Sequence, residues 1–224
     1  MERLVKTSGH SVLVPPGISL KPVIEASIPV ATHDVGALSE DDLAHANFRL
    51  EYSKASTRYE IASFGLDRRN APIEITGSLW RTVRVHSIAR SAIELALPAW
   101  ITPITRVRAD RAAGRLSDDF TFDASDALLL AATVYRIAEI SNENAALAVA
   151  ETLGLKQRTA TNWIVRARDA GLMTTTTHAK DLRRIAEEIE RRNPWAAPRT
   201  AEESDEDLAR LRKTQHIATA RSDR

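Results

Sequence analysis

The chain has 224 residues, 43% of them hydrophobic and 27% charged, with a formal net charge of +1 and no cysteine. This is the composition of an ordinary folded soluble protein, long enough for one larger domain or two small ones. It excludes disulfides, thiolate metal sites and cysteine nucleophiles, points to a reducing cytoplasm, and leaves no apolar run suited to a membrane span or a signal peptide.

Met1 to Gly17 reads as loose, with Pro15-Pro16-Gly17 as a breaker. An α+β domain is expected over 18–98. Lys21 to Ala31 suits an extended edge segment, and Ser39 suits the N-cap of a short helix from Glu40 to Ala46. Three strands follow from period-two alternation: Phe48, Leu50 and Tyr52; then Tyr59, Ile61 and Ser63 on to Leu66; then Ile73 and Ile75, after a turn at Asp67-Arg68-Arg69-Asn70. The expected product is a small antiparallel sheet. A helix from Ser87 to Leu97 would cover it with Ile88, Ala92, Ile93 and Leu95, and Pro98 would end that helix.

The stretch 99–122 reads as a linker. Its basic run, Arg106 to Arg115, is either a solvated loop or an arm that touches DNA phosphates. An all-α, trihelical domain with one extra helix is expected over 123–193. Its first helix runs from Ser125 or Asp126 to Ile140, with Leu129, Leu130, Val134, Ile137 and Ala138 as an apolar stripe. Asn142-Glu143-Asn144 turns the chain into a second helix.

That second helix, Gly154 and the residues after it have the layout of a helix-turn-helix. Ala150 permits a close helix crossing, Gly154 tolerates a sharp reversal, and Val149, Leu153 and Leu155 pack around the turn. Ala160, Trp163, Ile164 and Ala167 lie on one face of the third helix, and Gly171 stops it, with Leu172 and Met173 folding back. Gln157, Arg158, Thr161 and Asn162 are left on the other side. Gln and Asn pair bidentately with adenine and Arg with guanine, so these four are candidate base readers. Lys156, Thr159, Arg166 and Arg168 are candidate phosphate contacts. Between Lys156 and Arg168 there are four basic residues and no acid, so the near-neutral net charge hides a local basic face.

The stretch Val134 to Met173 resembles the helix-turn-helix module common in actinobacterial chromosomal, plasmid and phage proteins. The resemblance rests on Thr159, Ala160, Trp163, Ile164, Ala167, Arg168, Gly171 and Leu172, in the pattern T-A-x-x-W-I-x-x-A-R-x-x-G-L. The chain departs from that module in having Lys156 where it often has the N-capping Ser. The resemblance covers about forty residues and implies sequence-specific binding of double-stranded DNA, as in a transcriptional regulator or a phage or plasmid maintenance factor.

Thr174 to Thr177 carries no hairpin turn signal, so a full β-wing is not expected. A further helix, Ala179 to Arg192, places Leu182, Ile185, Ala186 and Ile189 on one face. That stripe either packs on the chain's own core or forms a homodimer contact through Leu182, Ile185 and Ile189. The tail over 194–224 reads as charged and largely disordered, with Trp195 pinning it to the surface.

An enzyme is not expected. His10, His33, His45, His86, His178 and His216 show no ligand spacing, and there is no P-loop, G-x-G-x-x-G or G-x-S-x-G. His86 reads as a partly buried side chain rather than a base. No cofactor, metal site or membrane partner is implied. The alternative to DNA binding is a structural or interaction protein whose trihelical unit docks a protein partner.

Overall fold

The computed structural model describes residues 4–30, 44–68, 75, 77–116 and 120–193. Six strands form first: β1 (Leu4–Ser8), β2 (Val12–Val14), β3 (Ile18–Leu20), β4 (Val23–Val30), β5 (Ala44–Ser53) and β6 (Arg58–Asp67). Seven helices follow: α1 (Gly77–Thr82), α2 (Val85–Ala96), α3 (Thr102–Ala112), α4 (Ala124–Ile140), α5 (Ala145–Leu153), α6 (Gln157–Asp169) and α7 (Ala179–Arg192). A 3-10 turn over Ala99–Ile101 leads into α3. The fold is α+β, with a small antiparallel sheet in the N-terminal part and helices after it.

The sheet has the order β1-β4-β5-β6, and every pairing is antiparallel. Its register follows from the alternation. Ile24 opposes Leu50, Ala26 opposes Phe48 and Ile28 opposes Ala46, all six buried on one face. Glu25 opposes Arg49 and Ser27 opposes Asn47 on the other. A bulge between β5 and β6 leaves Ala62 without a direct partner, so Ile61 still faces Leu50 and Phe64 still faces Phe48. Residues i and i+3 of β6 thereby share the core side of the sheet.

Helix α2 covers that side with Ala89, Ala92 and Ile93, and Pro98 follows its end as expected. Leu95 is the exception: it is 49% exposed and covers nothing. His86 is exposed rather than partly buried, although it shares a helix face with Ala89 and Ile93 and lines an open cleft with Ile61 of the sheet.

Several expectations need correction. Residues 4–17 are not loose. Lys6 and its neighbours pair with β4, and Pro15-Pro16-Gly17 turns the β2–β3 hairpin instead of breaking structure. The carbonyl of Pro16 accepts from the His178 amide at 3.1 Å, which docks that turn on the start of α7. The segment expected at an edge is β4, an interior strand flanked by β1 and β5. Ala44 to Ala46 belong to β5, not to a helix, while Ser39 to Asp42 lie outside the described residues. Ile75 is in no strand, and Ile73 is not described.

The largest correction concerns the expected linker. Thr102 to Ala112 is helical, with Ile104 and Val107 fully buried. The basic run is not a free arm, because its arginines make internal contacts. Arg108 donates to Glu143 and pairs with Glu151, each at 2.7 Å, joining α3 to α5 and the turn before it. Arg90 of α2 faces the same Glu143 carboxylate at 3.4 Å. Arg115 donates to Asp110, which is only 2% exposed and also accepts from the Asn193 side-chain amide at 2.7 Å. Asp110 is tolerated out of water on this basic helix because it gains directed donors from Arg115 and Asn193.

The stripe of α7 is also settled by burial. Leu182, Ile185, Ala186 and Ile189 are packed in the chain's own core, beside α3 and the 3-10 turn. Leu182, Ile185 and Ile189 therefore have no surface left to offer a second copy. A bidentate Arg184–Asp126 pair fixes α7 to the start of α4. The core runs without a break from the sheet through α2 to α7. The tail, including Trp195, lies outside the described residues.

Candidate nucleic-acid interface

Helix α5 starts where the sequence supplies a cap. Asn144 Oδ1 accepts from the Leu147 amide at 3.1 Å, satisfying one open donor of the first turn. The helix ends at Gly154, whose φ of +66° and ψ of 36° are left-handed. The Leu155 amide closes back on the Ala150 carbonyl at 2.8 Å, and only three residues separate α5 from α6. Glycine is required at 154 because an L side chain strains at that φ. A Cβ there would also fall 2.9 Å from Arg111 Nη1 of α3.

Lys156 occupies the N-cap position of α6 in extended conformation and supplies no side-chain cap. The first-turn amides of α6 therefore lack a side-chain acceptor from that residue, and an uncapped helix start favours anions. Ala160, Ile164 and Ala167 are buried, and Trp163 is half-buried against the same core. The indole faces the protein as expected, but incompletely. Arg166 covers part of what the core leaves open: its guanidinium lies over the ring, 4.9 Å from the centroid.

All eight nominated residues, Lys156, Gln157, Arg158, Thr159, Thr161, Asn162, Arg166 and Arg168, are exposed. At about 100° per residue, Arg158 and Asn162 lie roughly 160° from the buried Ala160 and face directly away from the core. Thr161 and Gln157 lie toward one flank. The Thr161 hydroxyl donates to the Gln157 carbonyl at 3.0 Å, so its proton is spent inside the helix and its lone pairs stay open.

Arg168 is exposed and lies near the Tyr135 phenol of α4, as does Glu139. Burial, and then the bond to Glu139, hold that phenol above its ordinary range, while Arg168 pulls it the other way. Arg136 of α4 completes the seam, donating to Glu139 at 2.8 Å and to the Met173 carbonyl at 3.1 Å. Position 136 carries no periodic signal, so sequence reading passed over this tie on the segment that follows α6. It also passed over Arg111, whose Nη2 donates to the Phe120 carbonyl at 3.2 Å while its guanidinium sits against Gly154.

The polar side of the sheet forms an open depression of about 520 Å³, lined by Lys6, Glu25, Ser27, Asn47, Arg49 and Ser63 among others. Its charges are largely self-compensated, since Arg49 bonds both Glu25 and Glu51. Among the described residues no three His, Asp or Glu side chains come together as a metal site, and no helix is long and apolar enough to cross a membrane. Compared with protein-family models, curated proteins and solved structures, the chain matches none.

Proposed function

We propose that the chain binds double-stranded DNA in a sequence-specific way, with α6 entering the major groove, and serves as a transcriptional regulator or a phage or plasmid maintenance factor. One observation carries this reading. The side of α6 opposite its buried stripe displays Arg158 and Asn162, flanked by Lys156, Thr161 and Arg166, with no acid before Asp169. Arg and Asn are the side chains that read guanine and adenine edges bidentately. The basic groups around them supply the phosphate contacts that hold a helix in register.

The supports beneath α6 fit the same role. Arg108 with Glu143 and Glu151, and Arg111 against Gly154, hold α5 and the turn into α6 on α3, while Arg136 ties the segment just after α6 to α4 through the Met173 carbonyl. A reading helix needs such bracing, because base-edge hydrogen bonds tolerate little displacement.

Salt titration of duplex binding tests the reading. If Lys156, Arg166 and Arg168 each neutralise a phosphate, log K falls against log salt with a slope of about −3 per bound chain. A protein that docks only other proteins shows no retention on duplex DNA even at low salt, and that result would refute the proposal.

A further inference from the structure

The outward face of α6 contains one side chain that neither helix stability nor core packing explains. Val165 is 44% exposed and lies about 140° around the helix from Ala160, between Thr161 and Arg158 in projection. An exposed valine is ordinary on a protein surface. Its neighbours make this one informative. Every other exposed residue from Gln157 to Asp169 is polar or charged. Valine is β-branched and a weaker helix former than the Arg, Gln or Lys that would serve a solvated face. It touches no core, so its apolar surface remains for something outside the chain.

The position selects the occupant. Arg158, Asn162 and Val165 span about 10 Å along the helix axis, roughly three base-pair steps. Arg158 and Asn162 present hydrogen-bonding groups and Val165 presents two methyl groups. In the major groove the one apolar feature on a base edge is the C5 methyl of thymine. Asp169 lies one turn beyond Val165 on the same face and marks where contact with a polyanion ends.

We propose that Val165 is a specificity-determining residue, which packs against the thymine methyl of one T·A pair in the recognised site. The inference rests on the DNA-binding reading above and adds to it a base and an atom. Asn162, one turn earlier, is then placed to pair with an adenine at a neighbouring step.

Thymine-to-uracil exchange tests it, since this removes the methyl and leaves every hydrogen-bonding group in place. A site is first selected from randomised duplex with the full chain. Each thymine in it is then replaced singly by deoxyuridine, and affinity is measured for the wild type and for Val165→Ala, an exposed change that leaves the core intact. At one thymine the wild type should lose about fourfold, the weight of one buried methyl group. Val165→Ala should bind the thymine and uracil duplexes equally there, and should leave the other thymines unaffected. Three results overturn the inference alone: a selected site with no thymine, no exchange that weakens the wild type, or a Val165→Ala protein that keeps the full thymine preference. If no sequence is enriched, the DNA-binding reading itself fails.

Discussion

Replacing Gly154 with alanine tests the geometry that sets α6 against α5. Two costs add. An L residue at a φ of +66° pays about 1–2 kcal/mol for the left-handed backbone. The new Cβ would lie 2.9 Å from Arg111 Nη1 and 3.0 Å from Cζ, so the guanidinium must withdraw. Its bond to the Phe120 carbonyl is then weakened or lost, about 1–2 kcal/mol for a partly buried charged donor. The reduced entropy of the unfolded chain returns about 0.5 kcal/mol. The expected loss is about 2–3 kcal/mol. Gly114→Ala is the control, because Gly114 has a φ of +65° and nothing within 4 Å of its Cβ position. That change should cost only the backbone part, about 1 kcal/mol. Urea unfolding followed by circular dichroism reads both, as shifts in midpoint at constant slope. In an Arg111→Ala background the cost of Gly154→Ala should fall to that of Gly114→Ala. Equal losses for the two glycines in the parent protein would refute the claim that α3 supports this turn.

Five further substitutions probe other parts of the molecule. Arg158→Ala and Asn162→Ala should each cost about 1–3 kcal/mol at a selected site and relax base preference at one position, whereas Arg166→Ala should weaken all duplexes alike; competition binding against single-base variants separates these patterns. Trp163→Ala should destabilise the fold by about 2 kcal/mol, below the range for a fully buried tryptophan, because the ring is half-buried; a loss above 4 kcal/mol by urea unfolding would contradict the observed packing. Tyr59, whose hydroxyl donates to the Lys21 carbonyl, has its phenol pushed above the ordinary 10.0 by burial first and by Tyr52 second. The folded state therefore holds the proton more tightly than the unfolded state, so this stabilisation is complete below pH 10 and is lost as pH rises beyond it. Tyr59→Phe should flatten the alkaline fall in stability; an unchanged profile would refute the assignment.

Local pattern was legible wherever one face of an element meets the core. The strands at Phe48–Tyr52 and Tyr59–Leu66, and the helices α2, α4, α5, α6 and α7, all carry the period of their geometry, and the sequence places them within a few residues. Helix α3 does not carry it. Only Pro103, Ile104 and Val107 give it apolar burial, and its remaining hold comes from Arg108, Asp110 and Arg115. The partners Glu143, Glu151 and Asn193 lie 35 to 83 residues away or between, so no window of sequence reveals them. The same limit hid the interior place of β4, because strand order is a property of pairing and not of the strand. Pro15-Pro16-Gly17 signals a reversal, and whether a reversal opens a loop or closes a hairpin depends on the Val12 and Leu20 pairing across it. On α6 the exposure of the nominated side chains was readable from helical phase. The same phase turns Val165 outward, whereas the Tyr135 phenol near Arg168 needed coordinates.

The central claim is that the outer face of α6 meets DNA. Amide and guanidinium NMR signals of the full chain, followed as its selected duplex is added, test this most directly. Contact through α6 predicts that the side-chain signals of Gln157, Arg158 and Asn162 shift first and furthest, while those of the sheet around Asn47 and Arg49 stay still. Shifts centred on the sheet depression, with the α6 side chains unmoved, would contradict it.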